Sequence, residues 1–507
     1  MSDNAEGVKP VEQETAQQQS WHWKTILTFS AAVGLYVAPR IWSLWAPRLW
    51  GDEIFTFSLS LGSWVTLIKR AGLDMAHPPL FYFLLKLWIY VAGSSVPGLR
   101  VLTITFSIAT LVSLIALARQ LEFRVPVIIL TLTLMAVNNY LIVYSYYLRA
   151  YSLLLFFALS SQALFVMFLR ARAGKQTRTL VFLTLVNILF VYTHYFAWLV
   201  VAAEWLWVLV MDRRHLRQFT FSTVIVVLCF LPWVGVIAYV STQVSYTFID
   251  QITWYRPPGL YNLRLLLRCF NGGFISPDLT LAGGVVFLLI VLAALKYSIS
   301  QPDSSSQNDQ PKLNPYALLT WLSIFPVITS FAVSRLFTWI WEPRYVIVAT
   351  GSYLLLVSAC AFRLRNTYVR IAAVVFLLVW SSLAGSTDNL AEVLHGPNAP
   401  SYWLARDLSQ RETRSEGPIS IYGISPYAEQ GLRLALNLTG ERRFKTIPCR
   451  PDVELSEKYF WIAVTEHDPV ASARVKDLSS NGMYEMGNPI YAGEPPQRHI
   501  LIPVQRK

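Results

Sequence analysis

The sequence predicts an α-helical polytopic membrane protein of about eleven spans, with juxtamembrane helices and a small extracytoplasmic α/β domain at its C-terminal end. Three observations predict it. Of 507 residues, 54% are hydrophobic and only 14% charged, against about 25% charged in a soluble domain. Apolar runs of near-spanning length recur from residue 25 to residue 386 and then stop. Residues 387–507 are charged and mix short helix and strand patterns instead.

Crossing about 30 Å of hydrocarbon takes roughly 20 apolar residues in a helix. The segments 25–45, 99–118, 124–144, 149–170, 178–194, 198–211, 217–240, 279–299, 316–337, 345–362 and 368–386 reach or approach that length. Residues 1–20 are polar and Gln/Glu-rich and read as a disordered cytoplasmic tail. The run after them is too long for a signal-peptide core and reads as an uncleaved first span. Residues 21–386 then make one transmembrane domain. Basic residues concentrate in 170–178, 212–217 and 363–370, which places those short loops in the cytoplasm. The N-terminus is then cytoplasmic, and the loops 46–98, 241–278 and 338–344 lie outside with residues 387–507. This parity requires the apolar segment 79–94 to lie on the outer surface rather than cross, with Lys86 snorkelling to the interface. Ile54, Phe57, Leu61, Trp64, Val65 and Ile68 recur at helical spacing through 52–70, so a second amphipathic helix lies in the same plane.

The net charge of +12 comes from short clusters between apolar runs. That suits cytoplasmic loops and anionic membrane lipids, and argues against nucleic acid. Four scattered cysteines, Cys229, Cys269, Cys360 and Cys449, have no metal-ligand or paired spacing, so neither a disulfide nor a zinc site is expected. Residues 301–315 are a polar cytoplasmic linker. Within 387–507, helices at 401–411, 426–439 and 469–480 interleave with strands at 418–424, 444–448, 459–466, 484–492 and 498–504.

Candidate chemistry gathers on the outer side. Asp52 and Glu53 follow the first span at once; two carboxylates there also suit the positive end of a helix. His77 precedes Pro78-Pro79, which fix an extended turn. Tyr144-Ser145-Tyr146-Tyr147-Leu148-Arg149-Ala150-Tyr151 puts an arginine at an outward-facing span end, where positive charge is depleted, and an arginine there suits a phosphate clamp. Tyr192-Thr193-His194-Tyr195 and Trp339-Ile340-Trp341-Glu342-Pro343-Arg344-Tyr345 occupy two further outer turns, and Arg256 and Arg264 add charge nearby. Glu204, inside a span, costs roughly 2.5–3.5 kcal/mol to insert and has to face protein or water. A lipid or solute transporter places its charged groups near the midplane; an outer cluster suits a lipid-anchored anionic donor meeting an acceptor from outside. A non-catalytic envelope-assembly protein is the other alternative.

Taken in order, Trp50-Gly51-Asp52-Glu53, His77-Pro78-Pro79-Leu80, Arg100, Tyr144 with Arg149-Ala150-Tyr151, Tyr192-Thr193-His194-Tyr195 and Pro343-Arg344-Tyr345 resemble family 39 of the GT-C glycosyltransferases. That is the type of protein O-mannosyltransferases and lipid A aminoarabinose transferases. The resemblance covers residues 25–390. It implies a multi-pass plasma (inner) membrane enzyme that moves a sugar from a polyprenyl-phosphate donor to a protein, lipid or glycan acceptor. It implies Asp52 as general base with inversion at the anomeric carbon, and Glu53 as a second carboxylate. His77, Arg149 and Arg344 would bind the donor phosphate, and Tyr151, His194, Tyr345 and Trp341 would line the cavity. No Asp-x-Asp motif of the nucleotide-sugar type is present, so no cofactor is expected and a divalent metal is not indicated.

Overall fold

The computed structural model describes residues 11–45, 49, 51–243, 258–272, 277–300, 313–337, 340–387, 400–412, 418–424, 432–433, 435–436, 441, 443–448, 455, 457–465, 468–480, 482–492 and 498–507. All eleven expected segments are helical there. Among the described residues, eight helices are long and apolar enough to cross a membrane: Trp23–Trp45, Val96–Gln120, Tyr151–Arg170, Arg213–Ser241, Asp278–Leu295, Pro315–Leu336, Pro343–Arg363 and Thr367–Ser386.

The other three expected spans depart for separate reasons. The segment 124–144 is broken into Val125–Val137 and Asn139–Tyr146, which bend by 67°. Asn138 sits at the break. Its side chain accepts from the Leu141 amide at 3.0 Å and donates to the Cys269 carbonyl at 3.0 Å, so it caps the second piece and anchors the bend. The helix Ala197–Met211 has only 15 residues, and Ala173–Val191 opens on Gly174, Lys175, Gln176 and Arg178, which dilute its apolarity. The first helix starts at Val11. Residues 11–20 therefore continue it, being rich in Gln and Glu, which are good helix formers, whereas a disordered tail was expected.

Enclosure differs sharply between spans. The most apolar windows of Trp23–Trp45, Arg213–Ser241 and Thr367–Ser386 are 17%, 22% and 22% buried, so these helices ring the bundle. Tyr151–Arg170 and Pro343–Arg363 are 72% and 89% buried and form its centre. The candidate residues Arg149, Tyr151, Arg344 and Tyr345 thus stand at the starts of the two most enclosed spans. Two charged groups inside the bundle are paired. Arg40 is fully buried and donates to Ser107 Oγ at 3.0 Å and to the carbonyls of Tyr36 and Met135 at 2.7 and 3.2 Å, tying the first helix to two others. Glu204 takes Ser161 Oγ at 2.9 Å, and Ser161 also reaches Asn187 Oδ1 at 2.6 Å.

The connection between the first helix and Val96–Gln120 is a shelf of three helices. The amphipathic segment 52–70 is two helices rather than one, Gly51–Ser60 and Trp64–Asp74. Ser63 caps the second by accepting from the Thr66 amide at 3.2 Å, which breaks the run at Gly62. Ile54, Phe57 and Leu67 are buried, whereas Val65 is 77% exposed and faces outward from the bundle. The third helix, Leu80–Ala92, is too short to span. Lys86 does not snorkel: it is buried and donates to the carbonyls of Ser60 and Gly62, with Trp64 5.3 Å from its ammonium. Those carbonyls end the helix Gly51–Ser60, so a buried ammonium closes the helix end that carries Asp52 at its start.

Past residue 400, six strands form one sheet in the order β2-β1-β3-β6-β4, with β5 also on β6: β1 (Ile419–Gly423), β2 (Phe444–Pro448), β3 (Tyr459–Thr465), β4 (Tyr484–Met486), β5 (Ile490–Ala492) and β6 (His499–Arg506). β1 pairs parallel with β2 and β3, and β6 antiparallel with β3. Both faces are covered. Ile421, Trp461 and Ala463 pack with Leu404 and Leu408 of the helix Pro400–Arg411, while Tyr422, Phe460 and Ile462 pack with Ala471 and Leu478 of Pro469–Ser480. The expected helix 426–439 is described only at 432–433 and 435–436, which are helical; the rest lies outside the described residues.

Candidate active site

The helix Gly51–Ser60 presents Asp52 and Glu53 in its first turn. Adjacent positions on a helix point about 100° apart, and the two carboxylates go separate ways. Glu53 is fully buried, and its Oε1 accepts from the Leu148 amide at 2.7 Å. It therefore holds the turn that carries Arg149. Asp52 is 43% exposed and accepts from Arg344 Nη1 at 2.9 Å. One turn on, Thr56 donates to the Asp52 carbonyl at 2.9 Å and accepts from Arg149 Nη1 at 2.9 Å. Thr56 was not picked out from sequence; its spacing of four from Asp52 is the signal that could have found it.

His77 is set by the turn before it. Met75 ends the helix Trp64–Asp74 with φ 51, in the left-handed region that a non-glycine residue rarely adopts. The chain reverses there, and the Leu80 amide then donates to the Tyr192 carbonyl at 3.1 Å, bringing the His-Pro-Pro turn against Tyr192-Thr193-His194-Tyr195. His77 Nδ1 lies 3.3 Å from Asp74 Oδ2, and Arg149 Nη2 lies 3.4 Å from its Nε2. The same Nη2 lies 3.3 Å from Nδ1, so the guanidinium sits beside both ring nitrogens while Asp74 holds the Nδ1 side. Burial, and then the Arg149 charge, hold its pKa below the ordinary histidine value in spite of Asp74.

The other expected residues close the same space. Tyr140 donates to the Pro343 carbonyl at 2.8 Å and fixes the turn that carries Arg344. His194 lies with ring centroids 5.1 Å from His77 and 4.9 Å from Tyr345, and Tyr151 stacks on Tyr345 at 6.4 Å. Trp341 is the exception. It is buried against Phe331 at 5.6 Å, and among the described residues it makes no ring contact with Tyr151, His194 or Tyr345. Glu342 was quoted from sequence without a role. Burial pushes its carboxyl up; Arg344 pulls the other way and Asp52 adds to the rise, so it stands close to both. Arg264 is exposed on the helix Leu260–Asn271, and Trp50, Arg256 and Trp339 lie outside the described residues. Among the described residues no three His, Cys, Asp or Glu side chains converge as a metal site.

The result is one cluster: an accessible carboxylate paired with the Arg344 guanidinium, the Arg149 guanidinium tied through Thr56 to the Asp52 backbone carbonyl, and His and Tyr rings beside them. Such a set of groups can bind an anion and accept a proton a few ångströms away. No protein-family model and no curated protein matches the sequence. Solved structures do match. ArnT from Cupriavidus metallidurans in the apo state gives a TM-score of 0.59 at 12% identity, covering 96% of this chain and 98% of that one. The chain has the fold of ArnT. ArnT bound to undecaprenyl phosphate matches equally, with a TM-score of 0.59 at 11% identity over 94% of this chain and 97% of that one. The likeness to ArnT reaches further than the motifs, which cover 25–390: coverage of 96% takes in the C-terminal sheet as well. With the ArnT fold and its row of apolar helices, this is a multi-pass membrane protein.

Proposed function

We propose that this chain is a membrane glycosyltransferase that moves a sugar from a polyprenyl-phosphate donor to an acceptor on the outer face. The observation that carries the proposal is the convergence of Asp52, Arg344 and Arg149: the Asp52 carboxylate pairs with Arg344 at 2.9 Å, and Thr56 links the Asp52 backbone carbonyl to Arg149. The ArnT fold, captured in one structure with undecaprenyl phosphate, supports a carrier lipid as donor. In the reaction, an acceptor hydroxyl or amine attacks the anomeric carbon from the face opposite the phosphate. Its proton passes to Asp52, the bond between sugar and phosphate oxygen breaks, and the carrier phosphate leaves with an added negative charge. Arg149 and Arg344 stabilise that charge as it develops, and His77 holds Arg149. Direct displacement inverts the anomeric centre.

Glu53 acts by fixing the turn at Leu148 rather than by touching substrate. The proposed orientation keeps the N-terminus in the cytoplasm of the plasma (inner) membrane and the sheet domain outside. Labelling of single cysteines from each side checks it, and reaction of Ser95→Cys from the cytoplasm would overturn it. The function itself is tested with purified protein in vesicles, undecaprenyl-phosphate sugars and envelope acceptors. Absence of any binding to the carrier lipid would end the proposal, and mass spectrometry of envelope glycans from a deletion strain identifies the acceptor.

A further inference from the structure

We propose that His194 and Tyr151 form a neutral donor subsite that recognises hydroxyl or ring oxygens of the donor's sugar, beside the guanidiniums that take its phosphate. The inference rests on the glycosyltransferase reading above and assigns the part of the site that reading leaves without a role.

His194 Nδ1 accepts from the Phe196 amide at 3.1 Å. A neutral imidazole whose Nδ1 accepts carries its proton on Nε2, so Nε2 is a donor. That Nε2 is buried and, among the described residues, has no hydrogen-bond partner. The hydroxyl of Tyr151 is in the same condition, buried and without a partner. The two residues are 2% and 1% exposed, so bulk water does not reach them. Buried donors in folded proteins are almost always satisfied. Two orphans on neighbouring rings mark atoms waiting for an acceptor that the described residues do not supply.

They are in one place. The His194 and Tyr151 rings are 6.3 Å apart, and both contact Tyr345, at 4.9 and 6.4 Å. The cluster is bounded by the cations: the Arg344 guanidinium lies 5.4 Å from the Tyr345 ring, and the His77 ring that meets His194 at 5.1 Å is the one Arg149 touches. A ligand that reaches both the guanidiniums and these donors therefore has an anionic group within a few ångströms of uncharged acceptor oxygens. A glycosyl phosphate has that pattern, whereas a bare lipid phosphate supplies only the anion. An ordered water joining the two donors is the competing occupant.

The test uses the full-length protein in lipid nanodiscs with two probes: undecaprenyl phosphate without sugar, and a panel of undecaprenyl-phosphate hexoses and pentoses. Tyr151→Phe removes the hydroxyl and keeps the stacked ring; His194→Phe removes the donor and keeps an aromatic; His194→Gln restores an N–H donor. Wild type is expected to bind at least one sugar-bearing carrier more tightly than the bare one. Tyr151→Phe and His194→Phe should each lose about tenfold on that carrier, the size of one good hydrogen bond, with bare-carrier affinity unchanged within twofold and His194→Gln recovering most of the loss. Equal weakening of both probes, no weakening of either, or no sugar preference in wild type would assign the donors to water or packing and overturn the inference. A wild type that binds neither probe would instead sink the glycosyltransferase reading, so the two failures are distinguishable.

Discussion

Arg344 Nη1 donates to Asp52 Oδ2 at 2.9 Å across 292 residues of sequence. A carboxylate held by a guanidinium is a poorer base than a free one, because the neighbouring charge favours its ionised form. The donor phosphate competes for the same guanidinium. In the proposed reaction, donor binding would therefore release Asp52 at the moment a base is required.

This competition makes a two-part prediction for Asp52→Asn. Turnover should fall by about 10²–10⁴-fold, the range of a lost general base. Carrier-lipid affinity should stay the same or tighten, since Arg344 loses the Asp52 carboxylate as a competing partner. Steady-state kinetics and binding on the same preparation read both quantities. Near-normal turnover would remove Asp52 from the chemistry, and weaker donor binding would contradict the competition.

Arg149 is fixed at both ends of its fork, Nη1 on Thr56 at 2.9 Å and Nη2 against His77 at 3.3 Å. Arg149→Ala should weaken carrier-lipid binding by about 1.5–3 kcal/mol, the worth of a hydrogen bond to a charged group. Arg149→Lys keeps the charge and loses the planar fork, so it should fall between wild type and alanine. Titration with undecaprenyl phosphate measures the series; an unchanged affinity in Arg149→Ala would take the clamp role from this residue.

His77 supplies a pH signature. Its pKa is lowered by burial first and by Arg149 second, so the folded protein resists protonation that the unfolded chain accepts. The unfolded state then binds more protons below the ordinary histidine value of about 6.5, and stability rises with pH through that window. The contribution is complete above pH ~6.5 and is lost as pH falls from there through the folded pKa. Thermal unfolding between pH 5 and 7.5 should show this decline in wild type and a shallower one in His77→Gln. Parallel slopes for the two proteins would show that His77 does not drive it.

Hydrophobic periodicity and the sparse charge made the helical bundle legible, because lipid leaves few other ways to satisfy a backbone. The motifs around Asp52, His77, Arg149, His194 and Arg344 were legible too, as polar residues at span ends. What they do to one another was not. Nothing local places Arg344 on Asp52, or turns Glu53 inward to the Leu148 amide; both depend on contacts between distant helices. Lys86 shows the same limit from the other side. Its apolar neighbours suggest an interfacial lysine, and only the packing of Leu80–Ala92 on Gly51–Ser60 reveals two carbonyls within its reach. The break at Asn138 escaped notice because the flanking residues are apolar throughout, and one capping asparagine does not disturb a hydropathy average.

Glu204 separates an enzyme of this design from a transporter. It is fully buried in the helix Ala197–Met211, with Ser161 Oγ at 2.9 Å from Oε1 and Asn187 bonded to the same carboxyl. If it only closes this polar knot, Glu204→Gln should be tolerated, since an amide of the same shape can both donate and accept. Glu204→Leu should be costly, by about 1–3 kcal/mol, because it strands the polar atoms of Ser161 and Asn187 in an apolar surround. Unfolding in detergent and sugar transfer should both follow that order, with glutamine near wild type and leucine well below it. A folded Glu204→Gln variant with no transfer would mean that an ionisable group at this depth takes part in function, as an ion-coupled transporter requires, and would count against a reaction confined to the outer chamber.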